Sequence, residues 1–418
     1  MEMLKLIEKK KRGKALSDQE LHEMIAAYVR HQIPDYQMSA FLMAVWFQGM
    51  DMAETLALCD AMIQSGATLD LSGISGVKCD KHSSGGVGDK TTLVLAPLVS
   101  ACGATVAKMS GRGLGHTGGT IDKLESIPGL RTDLDPETFY HQAKTIHLVI
   151  SAQNSQLVPA DGMLYALRDV SGTVDSMPLI AASIMSKKIA AGCDAILLDV
   201  KYGEGAFMHD RAQAEALSQC MKEIGRQFGR DVKCVLSDMN MPLGNAIGNI
   251  LEVKEAISTL RGNGPQALQA LCEDEGSIML MQAKLAASYP EGKAMIRAAM
   301  QDGRGLCRFR EMVKAQGGDV SCIDDPSRFA SAPFIFTVNS SCDGEVRMIH
   351  ALAIGTLAME LGAGRQSLHD TIDPRVGIVL LCHKDMKVCR GDPIAQVHAA
   401  SPLDQQWLDR LQKAIEIR

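Results

Sequence analysis

The stretch 81–92, KHSSGGVGDKTT, contains glycines, hydroxyl side chains and lysines, which are the residue types that bind phosphate groups. It is not a P-loop, because Asp89 interrupts the Gly-Lys-Ser/Thr order, and its glycines are too closely spaced for the G-x-G-x-x-G of dinucleotide-binding proteins. A helix predicted to begin near Asp89 or Thr91 places the glycines at a helix N-terminus, where free N–H groups favour an anion. The alternative is a glycine-rich turn beside a solvated Lys81, and this stretch alone leaves both open.

A second glycine-rich stretch, 110–125 (SGRGLGHTGGTIDKLE), follows the strand-like run TVAKMS at 105–110. It contains five glycines, several hydroxyls and the basic side chains Arg112 and His116. Thr120 is predicted to be the N-cap of the helix that follows, and His116 is expected to be structural. Loops that leave the carboxyl ends of neighbouring parallel strands converge on one crevice, so two such loops would enclose one phosphate. Enclosure suits free inorganic phosphate, which has no nucleoside portion to anchor it.

The elements that must position these loops follow different patterns along the chain. The first part of the chain has helical spacing, and Ser17 and Glu20 are predicted to form a capping box ahead of an apolar helix. Later, apolar runs such as 193–200 and 231–239 alternate with helices, which is typical of a mainly parallel sheet. Between these regions, helical spacing returns over 161–191. The helical pieces are therefore separated in sequence by α/β segments.

These patterns predict an α/β protein with two lobes and a smaller third domain. In the third domain, the run APFIFTVNSSCDGEVRMI is predicted to form two strands joined by a turn at Asp343. The expected parts are an all-helical lobe from 1–66 and 161–190, a large mainly parallel α/β lobe from 67–160 and 191–330, and a C-terminal α+β domain from 331–418.

The composition of the chain excludes some classes of binding partner and indicates its compartment. The chain has 418 residues and a formal net charge of −6, so we expect no binding to nucleic acid or an anionic membrane through bulk charge. Aromatic residues make up 4%, too few for base-stacking surfaces. The twelve cysteines are scattered without a C-x-x-C pair, which is typical of reduced thiols in a cytoplasmic protein. No apolar run is long enough to span a bilayer, and the charged N-terminus is unlike a signal peptide.

Several segments together resemble the thymidine and pyrimidine-nucleoside phosphorylases. The two glycine-rich stretches are similar to the signature region of that family. Further segments resemble family segments in the same order: PAD at 159–161, LYALRDVSGTVDSMPLIAASIMSKK, LLDVKYGEGAFM, DMNMPLGNAIGNILEVKEAI and GDPIAQVHA. The resemblance covers nearly the whole chain, and GVGDKTTLVLAP is closer to the enzymes that accept both uridine and thymidine. It implies reversible phosphorolysis, in which inorganic phosphate attacks C1′ of a pyrimidine nucleoside and releases the base and a pentose 1-phosphate.

The resemblance also implies the residues on each side of the site. On the phosphate side it places Lys81, His82, Ser83, Thr92, Lys108, Met109, Ser110 and Thr120. On the pyrimidine side it places Arg168, Ser183 and Lys187. The last two are four residues apart and share one helical face. Arg168 and Lys187 are expected to be catalytic by stabilising charge on the leaving base. His82 is either the proton donor to that base or a neutral hydrogen-bonding partner of a base oxygen. Without the resemblance, Lys187 would be assigned to a solvated helix position and Lys108 to a strand end.

A potassium-type cation site near the hinge is also implied by the resemblance, with no organic cofactor. Its expected ligands are the main-chain oxygens of Gly88, Lys90, Leu243 and Ala246 and the carboxylate of Glu255. Lys90 stands where threonine is frequent in the family, and its ammonium group could weaken a bound cation.

The resemblance further implies a homodimer formed through the N-terminal helices and closure of the inter-lobe cleft. The expected hinges lie near 66–80, 155–160 and 190–193. Three alternatives stay open: a thymidine-specific phosphorylase, an anthranilate-type phosphoribosyltransferase, and a non-catalytic nucleobase-binding protein on the same fold.

Overall fold

The computed structural model describes residues 2–113, 115–153, 156–365 and 370–418. The chain begins with helices α1 (Met3–Lys11), α2 (Asp18–Val29), α3 (Asp35–Gln48) and α4 (Met52–Gln64). Strands and helices then alternate as β1 (Lys78–Ser83), α5 (Thr91–Ala101), β2 (Thr105–Ser110), α6 (Thr120–Glu125), α7 (Pro136–Ile146), β3 (Leu148–Ala152), α8 (Pro159–Ser171), α9 (Met177–Ala190), β4 (Ala195–Tyr202), α10 (Arg211–Gln227) and β5 (Asp231–Asp238).

The second half of the chain continues with the short strand β6 (Ala246–Ile247) and the helices α11 (Asn249–Leu260), α12 (Gln266–Gln282), α13 (Tyr289–Gln301), α14 (Arg304–Ala315) and α15 (Ser321–Asp324). It ends with β7 (Phe334–Asn339), β8 (Gly344–Ile349), α16 (Ala351–Ala358), β9 (Gly377–Leu380), β10 (Lys387–Val388), β11 (Pro393–Ala399), α17 (Gln405–Lys413) and β12 (Ile415–Ile417).

The central sheet is parallel, in the order β3-β2-β1-β4-β5, and confirms the predicted α/β fold class. Because successive residues of a strand point to opposite faces, Ile196 and Leu198 of β4 join the core shared with the helical lobe. Ala195 and Leu197 join the core formed with α5 and α11 to α14. Burial on both faces explains why β4 is a continuous apolar run in the sequence.

The central strand β1 lies where sequence reasoning predicted a loop. Residues 81–83 of the glycine-rich stretch form the end of this strand, and only the following residues turn toward α5. The prediction failed because β1 is polar: Asp80 and Lys81 are both buried in it. Ion pairs with Lys188 and Asp199 replace the apolar contacts that usually mark a central strand.

The helical lobe consists of α1 to α4 together with α8 and α9, which return from the α/β segments. The predicted capping box is confirmed, since Ser17 Oγ accepts from Glu20 N and Glu20 Oε2 accepts from Ser17 N. Within the ranges described above, no helix has the length and apolarity needed to cross a membrane.

The C-terminal domain contains mixed helices and strands, as predicted. Strands β7 and β8 flank the expected turn, but they do not pair with each other. β7 joins a sheet of order β6-β9-β11-β7, and β8 joins another of order β10-β8-β12. The short strand β6, which follows β5 of the α/β lobe, therefore connects that lobe to the C-terminal domain.

Candidate active site

A cavity of about 430 Å³ lies between the carboxyl ends of β1 and β2 and the helices α8 and α9. It is lined from both lobes, as the resemblance implied. The predicted site residues that line it are His82, Ser83, Thr92, Lys108, Met109, Ser110, Thr120, Arg168, Ser183 and Lys187. The side formed by His82, Ser83, Thr92, Lys108, Ser110 and Thr120 is called the loop wall. The side formed by Asp161, Tyr165, Arg168, Ser183 and Lys187 is called the helix wall.

Close backbone contacts shape the loop wall. α5 begins at Thr91, one of the two predicted starts, so its free N–H groups lie beside the first glycine-rich stretch. In the second stretch, a Cβ added to Gly119 would lie only 2.0 Å from the Gly113 nitrogen, so this approach requires glycine. The prediction that Thr120 caps α6 is wrong, because Gly119 is the N-cap and Thr120 is the first helical residue. Thr120 lines the cavity instead.

Lys81 lies behind the loop wall. Cys79 of the same strand joins the core on the α5 side of the sheet, and alternation puts Lys81 on that face. Its Nζ is 3.2 Å from Asp199 Oδ2 and 3.6 Å from Glu275 Oε2. Lys81 is not among the described residues that line the cavity, so its predicted contact with phosphate stays a prediction. The lysine of the predicted phosphate set that does reach the loop wall is Lys108.

Lys108 is a buried lysine among other cations. Its Nζ donates to the main-chain oxygen of Lys81 and lies 3.6 Å from Asp80 Oδ1. Burial and the neighbouring Lys188 ammonium lower the pKa of Lys108 to about 7. Lys188 Nζ donates to Asp80 Oδ2 at 2.7 Å and to Met109 O at 2.7 Å. An anion at the loop wall would therefore relieve repulsion between ammonium groups.

His82 points to the opposite face of β1, toward α9. Burial, together with the ammonium groups of Lys188, Lys108, Lys187 and Lys81, holds the pKa of His82 well below its usual range. The imidazole is therefore neutral near pH 7 in the protein without ligands.

The helix wall is organised around Lys187. Lys187 Nζ donates to Ser183 Oγ at 3.0 Å, which confirms that the two side chains share one face of α9. It also donates to Asp161 Oδ2 at 2.6 Å and lies 5.7 Å from the centre of the Tyr165 ring. Asp161 is buried, and its other oxygen, Oδ1, has no hydrogen-bond partner among the described residues. Lys187 is thus held in position and is not a solvated lysine.

Arg168 supports the turn that joins α8 to α9. Its guanidinium donates to the main-chain oxygens of Thr173 at 3.3 Å, Val174 at 2.5 Å and Leu179 at 3.2 Å. A guanidinium has five N–H donors, so these three bonds leave donors that can face the cavity.

Comparisons with known proteins agree with this arrangement. Three family models match consecutive parts of the chain. Residues 4–66 match the helical bundle domain of a glycosyl transferase family, residues 75–306 match its α/β domain, and residues 345–418 match the C-terminal domain of pyrimidine nucleoside phosphorylases.

Curated relatives extend the match over the whole chain. The pyrimidine-nucleoside phosphorylase of Geobacillus stearothermophilus is 52% identical over 399 residues, which are 96% of this chain and 92% of the relative. That of Staphylococcus epidermidis is 49% identical over 417 residues, which are 100% of this chain and 96% of the relative. The chain belongs to the pyrimidine-nucleoside phosphorylase family.

The same fold occurs beyond this family. Anthranilate phosphoribosyltransferase from Thermus thermophilus superposes with a TM-score of 0.62 and 18% identity, covering 74% of this chain and 99% of that one. At this identity the likeness shows the shared fold alone.

The ligands predicted for a potassium ion in this phosphorylase are brought together on the far side of the first glycine-rich stretch. Three of the five surround an ammonium group of the protein itself. Lys90 Nζ donates to Leu243 O, Ala246 O and Glu255 Oε2, while Lys90 N donates to Gly88 O at 3.0 Å.

Sequence reasoning missed several residues that position the site in this phosphorylase. Asp161 and Tyr165 hold Lys187 on the helix wall, and Lys188 joins α9 to Asp80 of the sheet. Behind the loop wall, Asp199 accepts from Lys201 Nζ at 2.7 Å. Asp161 lies within the resembling segments. Its position two turns of helix before Arg168 was the available signal that it faces the same site. Lys188 and Asp80 are 108 residues apart, so no local pattern joins them.

Proposed function

We propose that the protein catalyses the reversible phosphorolysis of pyrimidine nucleosides, giving a free base and a pentose 1-phosphate. Uridine, thymidine and deoxyuridine are the proposed substrates, with inorganic phosphate as co-substrate and no organic cofactor. The observation that carries the proposal is the cleft itself. A wall of hydroxyls, glycines and a lysine at the N-terminus of α5 faces a wall with two cationic side chains on separate helices.

The reaction places different demands on the two walls. A phosphate oxygen forms a bond to C1′ while the bond from C1′ to N1 of the base breaks, and the electron pair of that bond leaves with the base. Positive charge develops on the sugar ring, as in glycoside cleavage, and negative charge develops on the base oxygens. Donors on Arg168 and Lys187 stabilise that negative charge, because they are already oriented in a partly buried site.

The neutral state of His82 supports one of its two proposed roles. An imidazole with a pKa well below the usual range does not carry a proton to give away near pH 7. A neutral ring can still hydrogen-bond a base oxygen. We therefore favour His82 as a neutral hydrogen-bonding partner of a base oxygen. Overall, the base gains the proton that hydrogen phosphate loses on forming the pentose 1-phosphate.

Closure of the cleft is the proposed step that brings the substrates together. The expected hinge segments lie side by side, because Ala67 N donates to Gln156 O at 2.8 Å and Leu69 N donates to Ala190 O at 2.8 Å. Val158, in the same region, has a φ of 51°, which is unusual for a β-branched residue. Strain of this kind is concentrated at switch regions and supports a hinge here.

A homodimer formed through the helical lobe is proposed from its exposed apolar side chains. Tyr36 and Phe47 of α3 are 75% and 71% exposed, and Leu4 of α1 and Val170 of α8 are also exposed. Replacing Tyr36 and Phe47 with glutamate should convert a dimer into a monomer in light scattering. A wild-type protein that is monomeric at micromolar concentration would contradict the dimer.

The proposed compartment is the cytoplasm, because all twelve cysteines are free thiols and several are buried in the cores.

The test of the proposed activity is a set of initial rates. Release of uracil from uridine and thymine from thymidine is followed by absorbance, with and without phosphate. We expect turnover of uridine, thymidine and deoxyuridine that requires phosphate. Turnover of thymidine and deoxyuridine without uridine would favour a thymidine-specific enzyme. Ligand binding without phosphate-dependent turnover would contradict the proposal and favour a nucleobase-binding protein.

A further inference from the structure

The ammonium group of Lys90 is completely enclosed by acceptors. Its side chain is 0% exposed, and Nζ lies 2.9 Å from Leu243 O, 2.8 Å from Ala246 O and 2.5 Å from Glu255 Oε2. An ammonium has three N–H donors, so each of its hydrogens has a partner. A buried charge is tolerated when it is paired and hydrogen-bonded in this way.

These three oxygens are also ligands of the potassium-type ion that the family resemblance predicts. The residues present do not fit that ion, because Lys90 Nζ already lies at the point where the three oxygens meet. The surroundings leave little spare room, since a Cβ added to Gly244 would lie 2.8 Å from Nζ and one added to Gly88 would lie 3.5 Å from it. The ammonium and a potassium ion carry the same single positive charge.

We propose that Lys90 is a built-in replacement for the monovalent cation, so that this enzyme needs no potassium or sodium for activity. Lys90 is a positioning residue in this proposal, because it contacts neither substrate. The measurement of turnover depends on the proposed phosphorolysis, whereas the contacts of Lys90 do not depend on it.

The contacts of Lys90 show what the charge holds in place. Lys90 is the N-cap residue of α5, between Asp89 and the helix that carries Thr92 to the loop wall. Two of its acceptors, Leu243 O and Ala246 O, belong to the segment between β5 and α11. The third, Glu255, lies in α11 and also accepts from Asn245 N at 3.0 Å. The ammonium therefore joins the loop wall to a segment that continues into β6 and the C-terminal domain.

A second buried ammonium supports the same interpretation. Lys123 Nζ donates to Asp89 O at 2.6 Å and lies 2.8 Å from Glu252 Oε2. Glu252 and Glu255 are three residues apart in α11 and lie on neighbouring positions of that helix. Two lysines from different elements thus connect adjacent residues of one loop to the same helix through ion pairs. This part of the site is held by the protein's own cations.

The first arm of the test uses the unmodified enzyme. Rates of uridine phosphorolysis and the thermal unfolding midpoint are measured while potassium and sodium are replaced by choline at constant ionic strength. We expect both quantities to be unchanged. A rate or midpoint that rises with potassium in a saturable way would overturn the proposal.

The second arm restores the space for an ion. Lys90→Thr removes the ammonium and leaves the oxygens, Lys90→Met removes it and fills the space, and Lys384→Thr is the control at an exposed lysine. In choline we expect Lys90→Thr to lose about 100-fold in kcat/KM through misplacement of the loop wall. Potassium should restore most of that loss and raise its unfolding midpoint, because an ion that binds only the folded state stabilises it. For Lys90→Met, potassium should change neither kcat/KM nor the unfolding midpoint.

The two readouts separate the proposals. Stabilisation of Lys90→Thr by potassium without any phosphorolysis would support the replacement of the ion by Lys90 and contradict the proposed activity. A folded Lys90→Thr that is fully active in choline, or that responds to potassium in neither assay, would overturn the replacement of the ion. If the variant does not fold, the cation titration of the unmodified enzyme decides alone.

Discussion

The two walls of the cleft contain different kinds of side chain. The loop wall presents hydroxyls, glycines and the lysine Lys108, with further ammonium groups close behind it. The helix wall presents Lys187 and Arg168, but Lys187 is already paired with Asp161 and Arg168 already donates to main-chain oxygens. Both walls contain cations, but on the loop wall burial and the neighbouring Lys188 ammonium lower the pKa of Lys108 to about 7.

This difference indicates what each wall can bind. An anion at the loop wall favours the ammonium form of Lys108, and inorganic phosphate is the anion that the proposed reaction requires. On the helix wall, Asp161 offsets the charge of Lys187, and neutral main-chain oxygens hold Arg168. These oriented donors suit a neutral base and become more favourable as negative charge grows on it. The asymmetry thus separates binding of the anion from stabilisation of the transition state.

The largest expected effect concerns the helix wall. Lys187→Met should lower kcat/KM for uridine by about 1,000-fold, because a fixed donor to developing negative charge is removed and Asp161 is left unpaired. The control Lys384→Met, at an exposed lysine, should be unchanged. Steady-state kinetics with saturating phosphate measure both. An unaltered value for Lys187→Met would remove this lysine from the site.

Matched serine variants sharpen the comparison. Ser110→Ala on the loop wall should raise KM for phosphate by about 10-fold or more while KM for uridine stays constant, because one hydrogen bond to a charged ligand is lost. Ser183→Ala on the helix wall should do the reverse. Initial rates with each substrate varied in turn distinguish the two patterns. Equal effects of both variants on both substrates would contradict the separation of the walls.

A smaller effect is expected when the partner of Lys187 is neutralised. Asp161→Asn keeps the size of the side chain but removes its charge, so Lys187 is less firmly oriented. We expect kcat/KM for uridine to fall by about tenfold, less than in Lys187→Met, with KM for phosphate unchanged. The two variants combined should cost little more than Lys187→Met alone, because they disrupt one interaction. Full additivity would show that Asp161 acts independently of Lys187.

The smallest effect is a pH dependence of anion binding at the loop wall. With a pKa of about 7, Lys108 is an ammonium below that pH and is neutral above it. Competitive inhibition by sulfate, which stays dianionic across the range, should therefore weaken by up to about tenfold per pH unit above pH 7. In Lys108→Met, inhibition should be weak throughout and nearly independent of pH. A wild-type inhibition constant that is flat from about pH 6 to 8 would contradict this role of Lys108.

Local patterns in the sequence predicted much of this arrangement. The start of α5 at Thr91, the shared face of Ser183 and Lys187, and the apolar strand β4 all follow from periodicity and glycine placement. These features depend on residues a few positions apart, whose geometry is fixed by the helix or strand that contains them.

Features that depend on distant partners were not predictable in the same way. The polar strand β1 looked like a loop because its buried charges are compensated by Lys188 and Asp199, more than 100 residues away. Lys90 was one signal, because it carries an ammonium group at a position where the main-chain oxygen was expected to bind a cation. Only the structure shows that this ammonium reaches residues 243 and 246 and takes the place assigned to the ion.

The most direct test of the two walls is a crystal structure of the protein with sulfate and uracil bound. We expect sulfate against Ser83, Ser110 and Thr120 beside the N-terminus of α5. We expect uracil against Arg168, Ser183 and Lys187, with its carbonyl oxygens toward the cationic side chains. A sulfate seated on Lys187 or Arg168, or a uracil stacked on the glycine-rich loops, would contradict the assignment of the walls.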